Sequence, residues 1–211
     1  MPTPDEVLTF HDVLPPDGAS PLVEGALPDL RLVLCEYDET WPNAFTSIAQ
    51  RVREALGFRV LALEHVGSTA VPGLAAKPII DLDLVVADPD SEEEYVPALQ
   101  EAGFVLRIRE PWWYRHRMLR LPDPSANLHV WGLDSPEPLR HTIFRDWLRL
   151  DAGDRSLYLS AKRDAARTAR ERGEDVNGYN ERKSSILREI YSRAFTAAGL
   201  LRETDPATTR P

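Results

Sequence analysis

A chain of 211 residues with a formal net charge of −9 and a pI near 5.1 has room for one domain, or one domain with a helical appendage, and buries roughly 70% of its unfolded surface on folding. The acidic balance excludes broad binding to a DNA or RNA backbone, while leaving open a small anion or nucleotide in a locally basic pocket. The single Cys35 excludes an internal disulfide, no Cys/His cluster indicates structural zinc, and no stretch has the apolar length of a membrane span.

No basic segment followed by an apolar run opens the chain, so a soluble cytoplasmic protein is expected. Residues 1–29 are rich in Pro, Asp and Gly and read as an irregular arm, with Val7, Leu8 and Phe10 available to dock it on the body. Arg31–Tyr37 is a short strand candidate. Trp41 to Leu56 carries apolar residues at helical spacing, with Thr40 as N-cap and Gly57 as terminator. Val60 to Val66 alternates as a strand, Gly67-Ser68 turns, and Val71-Pro72-Gly73 and Lys77-Pro78 punctuate a connection into the apolar strand Ile79–Val86. A helix capped by Asp90 or Ser91 runs to Ala102 and stops at Gly103. Phe104–Arg109, Trp112–Leu121 and Asn127–Trp131 are further strands. Helices follow over Pro138–Leu150, Ser156–Arg172 and Val176–Leu200, with breaks at Gly153 and Gly173. A polar, frayed tail begins at Arg202. The expected architecture is α/β (α+β): a mixed sheet backed by helices over 30–134, a helical segment over 135–201, and a tail over 202–211.

The chemistry concentrates in Ile79–Val86. Asp81 and Asp83 are two apart and share one face of an otherwise apolar strand, where like charges repel and burial is costly without a compensating cation or donors. Such a conflict between local chemistry and a buried strand marks a functional site. Upstream, the Gly67-Ser68 turn offers N–H groups and a hydroxyl to phosphate oxygens, and two carboxylates can hold a divalent metal.

The string His65-Val-Gly-Ser-Thr-Ala-Val-Pro-Gly-Leu-Ala-Ala-Lys-Pro-Ile-Ile-Asp81 resembles the signature of the GrpB family, a nucleotidyltransferase-like group. The resemblance extends from about Leu32 to Ala198. It includes Tyr37 through Trp41-Pro42, Leu128-His129-Val130, Phe144 through Arg149, Tyr158 through Lys162, and Tyr179 through Lys183. It implies a nucleotidyltransferase-like mixed sheet. It also implies that Gly67 and Ser68 bind phosphate and that Asp81 and Asp83 bind Mg²⁺ (or Mn²⁺). Such enzymes place a third acid on a later strand to activate the attacking hydroxyl or bind a second metal. The aligned strand offers His129 and no acid. Where family members often carry His-Leu-His, this chain has Asn127-Leu128-His129, so the first imidazole is lost.

His129 is a candidate acid or base, or a hydrogen-bonded core histidine. His65 is expected to orient the turn and Asn127 to support the site. Lys77 stands between turn and acidic strand, placed either to neutralise an aspartate or to bind phosphate. Arg115 and Arg117, beside Trp113 and Tyr114, form a candidate basic face for an anionic substrate. Lysine is almost absent elsewhere, with Lys77, Lys162 and Lys183 the only three, so the helical pairs Tyr158/Lys162 and Tyr179/Lys183 read as pocket lining. Three functions fit: a metal-dependent nucleotidyltransferase-like enzyme acting on a small-molecule acceptor, a repurposed enzyme of specialised metabolism using acid–base chemistry, or a non-catalytic nucleotide- or metabolite-binding module.

Overall fold

The computed structural model describes residues 1–10, 15–25, 33–173 and 176–201. Its centre is a mixed sheet of β1 (Ala62–Val66), β2 (Ile80–Val86), β3 (Val105–Glu110), β4 (His116–Leu121) and β5 (Ala126–Gly132), in the order β1-β2-β5-β4-β3. Only the β2–β5 pair is parallel. That register sets Asp81 opposite Asn127 and Asp83 opposite His129, so all four side chains leave the same face.

The opposite face supplies the main core. Leu63, Leu82, Leu84, Leu128, Val130, Leu119 and Leu121 pack against α2 (Trp41–Leu56) and α3 (Val96–Glu101) through Ile48, Val52, Leu56 and Leu99. Helix α2 has the bounds its periodicity predicts. Thr40 occupies the cap position without a side-chain cap bond, and its own N–H and hydroxyl donate to Asp38. The expected helix before Gly103 is shorter, because Glu92–Glu94 form a separate 3-10 turn ahead of α3.

The acidic face is flanked by α4 (Glu137–Leu150), α5 (Ala152–Arg172) and α6 (Val176–Ala197). Their own core joins Phe144, Leu148, Tyr158, Ile190 and Phe195 to Val71 and Leu74 of the connection between β1 and β2. The break between α4 and α5 falls at Asp151, whose side chain accepts from the Asp154 N–H, and Gly153 lies inside the first turn of α5. Gly173 adopts the left-handed conformation and ends α5.

Three expectations differ. The N-terminal arm begins with a helix, α1 (Pro4–Leu8), closed by a capping box between Thr3 and Glu6, and its Val7 is buried on the helical core. The strand expected at Arg31–Tyr37 is reduced, within the described residues, to one bridge between Cys35 and Ala76. The strand expected from Trp112 starts at His116, because residues 111–115 form the turn from β3, with positive φ at Tyr114 and Arg115. The frayed tail expected from Arg202 lies outside the described residues. No helix among the described residues is long and apolar enough to cross a membrane.

Candidate functional site

The turn between β1 and β2 is shaped around one contact. Gly67 has φ +74 and ψ −148, a conformation open essentially only to glycine, and a Cβ there would stand 2.7 Å from Asp81 Oδ2. The strand end and the turn therefore approach until Asp81 sits against the Gly67 backbone. Cations from the flanking helices brace the rest of the connection. Arg145 donates to His65 O at 2.8 Å, Arg149 to Ala70 O at 2.9 Å, and Lys162 to Ala75 O at 2.6 Å. His65 lies on the core side, stacked on Phe45 with centroids 4.7 Å apart, and its Nε2 pairs with the Thr69 hydroxyl at 3.0 Å. Burial, with Arg149 and Arg145 adding repulsion, depresses the His65 imidazole to about 4.

Between this turn, the start of β2 and β5, and helices α5 and α6 lies a cleft of about 180 Å³. Its lining includes Ser68, Lys77, Asp81, Asn127, Lys162, Tyr179 and Lys183. Seven residues singled out from sequence thus meet in one place, although more than a hundred positions separate the first from the last. Lys162 is 3% exposed; burial, then the nearby Lys183 charge, lower its ammonium to about 7. Lys183 Nζ lies 4.6 Å from the centre of the Tyr179 ring.

Asn127 links this cleft to a cation the sequence did not single out. It accepts from Arg120 at 2.7 Å and donates to Asp81 Oδ1 at 2.9 Å. A side chain that both accepts and donates is required for that bridge, and an amide supplies both functions.

Asp83 is sealed behind the cleft, 1% exposed. Trp131 Nε1 donates to one oxygen at 2.9 Å, and His141 Nδ1 lies 2.7 Å from the other. Burial alone would depress His141, but the Asp83 carboxylate reverses the sign and holds its pKa at about 9. Asp83 and His141 are therefore an ion pair at neutral pH, buried on the carboxylate side and partly exposed on the imidazole side. Next along β5, His129 Nε2 stands 4.0 Å from Asp81 Oδ1 and its Nδ1 pairs with His116 Nε2 at 2.9 Å. Burial and the neighbouring His116 push His129 down to about 4.

These contacts bear on the expected divalent metal. Mg²⁺ needs open, anionic oxygen ligands at octahedral positions. Asp83 has both oxygens engaged and its charge offset by the His141 imidazolium, and Asp81 alone faces the cleft. Among the described residues no group of three His, Cys, Asp or Glu side chains is placed to hold a metal ion. The donor set does not fit a resident two-carboxylate Mg²⁺ site.

Three candidates lie elsewhere. Arg117 pairs across the sheet with Val130, so it leaves the core face, where it is buried against Asp90 and Glu92. Arg115, turned by its positive φ, pairs with Asp88 and Asp134. Tyr158 is buried edge-on to Phe144 in the helical core and supports Lys162, whose Nζ lies 5.3 Å from its ring centre. Conversely, His116 and His141 escaped sequence reasoning. His116 has the parity of Met118 and Arg120 on β4, a signal visible only once the turn before it is placed. His141 follows Glu137 by four residues on α4, a spacing that names a helix face but not the strand beneath it.

The family model described as GrpB protein matches residues 31–193. The UPF0157 protein BH1888 of Halalkalibacterium halodurans is 48% identical over 163 residues, covering 77% of this chain and 82% of that one. The UPF0157 protein SCO7215 of Streptomyces coelicolor is 40% identical over 182 residues, covering 86% and 94%. A dephospho-CoA kinase of Mycolicibacterium paratuberculosis is 29% identical over 184 residues, covering 75% of this chain but 44% of the kinase. Among solved structures, the GrpB protein of Enterococcus faecalis superimposes with a TM-score of 0.68 at 27% identity, over 79% of this chain and 99% of that one. With residues 31–193 matched by the family model and most of its length by a solved GrpB protein, the chain belongs to the GrpB family.

Proposed function

We propose that the protein is a nucleotidyltransferase-like enzyme whose cleft grips the phosphate of a small-molecule or nucleotide substrate and presents it to an acceptor hydroxyl over Asp81 and His129. The observation that carries this reading is the convergence of Ser68, Lys77, Lys162 and Lys183 on one cavity in a chain of net charge −9. Ammonium groups gathered in an acidic protein attract anions locally. The volume of about 180 Å³ suits a phosphate group better than a whole drug-sized ligand. The remainder of the substrate extends out of the cleft. Asp81 sits at the edge of this basic chamber, placed to orient a hydroxyl. That a related segment occurs in chains named dephospho-CoA kinase is in keeping with a phosphate-bearing ligand.

A second reading, a repurposed enzyme working by acid–base chemistry, is favoured by one feature: Asp83 is paired with His141 where a metal-dependent transferase keeps its carboxylate open.

Calorimetric titration with each nucleoside triphosphate and with inorganic triphosphate, with and without Mg²⁺, tests the reading. Binding is expected, weakened about 10-fold or more in Lys77→Gln/Lys183→Gln, since charge-assisted hydrogen bonds are worth roughly 1.5–3 kcal/mol. Pyrophosphate release with pooled metabolite acceptors then separates transfer from the second reading. If no phosphate compound binds, or if the double variant binds as well as the parent, the cleft is not a phosphate site.

A further inference from the structure

The acidic face carries a hydrogen-bond chain that runs away from the cleft. Glu110 Oε2 is 2.7 Å from His116 Nδ1, His116 Nε2 is 2.9 Å from His129 Nδ1, and His129 Nε2 ends 4.0 Å from Asp81 Oδ1. The two rings are stacked, 5.2 Å apart and 20° from parallel, and His116 also lies on Trp131 at 4.3 Å. His116 is 2% exposed, so its ring has no water to choose as a partner. His129 keeps a quarter of its side-chain surface.

The direction of every proton in this chain follows from its outer end. A carboxylate only accepts, so His116 Nδ1 must carry hydrogen and donate to Glu110. Burial holds His116 below its ordinary pKa, so the neutral ring leaves a lone pair on Nε2. That lone pair accepts from His129 Nδ1–H. A neutral His129 then has its remaining lone pair on Nε2, 4.0 Å from an oxygen of Asp81, which lines the cleft. Asn127 already donates to the near oxygen of Asp81, and at 4.0 Å no hydrogen bond to Asp81 holds the alternative Nε2–H form of His129.

We infer that Glu110 and His116 are positioning residues that lock His129 in its Nδ1–H tautomer, so that Nε2 serves as the proton acceptor for a hydroxyl bound beside Asp81. This rests on the reading of the cleft as a phosphate-transfer site. The hydroxyl proton passes to Nε2 as its oxygen forms a bond to phosphorus, and the bond from phosphorus to the departing phosphate oxygen breaks, that oxygen keeping the electron pair. The new imidazolium stands beside the Asp81 carboxylate, and its Nδ1–H stays donated to His116. The role that a third carboxylate fills in related enzymes falls here to an imidazole oriented from behind.

Two-bond ¹H–¹⁵N correlation spectra of uniformly labelled protein at pH 7 report the tautomer directly, with His129 assigned by loss of its signals in His129→Gln. A single Nδ1–H form is expected, in excess of about 10:1, since an oriented hydrogen bond is worth roughly a factor of ten. Glu110→Ala removes the outer acceptor at a site where the side chain is 22% exposed and is expected to give mixed tautomers at His129. His116→Phe preserves the stack on Trp131, removes the inner acceptor, and is expected to do the same. A wild-type His129 with hydrogen on Nε2, or a tautomer unmoved in both variants, overturns the inference. These spectra need no substrate, so they stand apart from the triphosphate titrations. A locked Nδ1–H tautomer in a protein that binds no phosphate compound refutes the reading of the cleft and leaves the relay intact.

Discussion

At the scale of single residues, Gly67 sets how close the turn comes to the acidic strand. A Cβ at position 67 would meet Asp81 Oδ2 at 2.7 Å, and φ of +74 with ψ of −148 excludes other residues without strain. Gly67→Ala is therefore expected to cost about 1–3 kcal/mol in denaturant unfolding. Phosphate binding in the cleft should fall by more than that loss explains, because Asp81 must move. Unchanged stability and affinity in that variant would show that the turn does not hold the strand. Much at this scale was legible in the sequence. The two-residue spacing of Asp81 and Asp83 fixed their shared face, and the scarcity of lysine drew attention to three residues that the fold brings to one cleft. What could not be read was direction. Arg115 and Arg117 share parity in sequence, but the positive φ at Tyr114 and Arg115 starts β4 later and leaves both arginines to acidic partners away from the cleft. Asp83 was equally opaque, since its partner His141 arrives from a helix fifty-eight positions later.

At the scale of elements, the helices brace the turn, and the run Phe144 through Arg149 gains a physical meaning from that. Arg145 and Arg149 hold carbonyls on either side of Gly67-Ser68-Thr69, while Phe144 and Leu148 enter the helical core. One turn earlier on α4, Arg140 is 1% exposed and reaches into α1. It donates to Val7 O at 2.8 Å and to Glu6 O, it pairs with Glu137, and its guanidinium lies 4.7 Å from the centre of the Phe10 ring. The last carbonyls of α1, left without helical partners, are thus capped by a cation from another helix. The composition of the arm, heavy in Pro and Asp, hid this helix, because five residues are too few to signal one and the cation that caps it lies 133 positions beyond Val7. Arg140→Met is expected to lose about 1.5–3 kcal/mol, since Glu137 keeps only His141, 3.7 Å away, as a cationic partner and the α1 carbonyls lose their charged donor, and to open the first ten residues to limited proteolysis. Adding Glu137→Leu should restore part of the stability but not the protection, because the weakly paired charge is gone while α1 remains uncapped. Protection that persists in both variants would assign α1's docking to Val7 and Phe10 alone.

At the scale of the whole molecule, the buried ionisable groups set opposing pH dependences. His65 and His129 both titrate near 4 in the fold, below the ordinary 6.5. As pH falls from about 6.5 to 4, the unfolded chain takes up protons that the folded one refuses, so stability is lost on the acid side. Asp83, whose pKa is also lowered, extends that loss below the carboxylate range. His141 has the opposite sign. Its folded pKa of about 9 lies above 6.5, so its contribution is complete below pH 6.5 and disappears as pH rises through 9. Lys162 masks this on the alkaline side: with a folded value near 7 against an ordinary 10.5, it gains stability over 7 to 10.5. The alkaline limb of the wild-type protein alone therefore identifies neither group, and the informative quantity is the gap between wild type and His141→Gln. Glutamine keeps a neutral donor near Asp83 and removes only the titration. The gap is expected to be widest near pH 6, with an upper limit of about 3 kcal/mol for the titrating part, and to narrow steadily to pH 10 as Asp83 loses its cationic partner. Urea unfolding at one-unit pH intervals measures it. A gap that stays constant from pH 6 to 10 would mean that His141 keeps its ordinary pKa in the fold, and that Asp83 is held at neutral pH by hydrogen bonds alone.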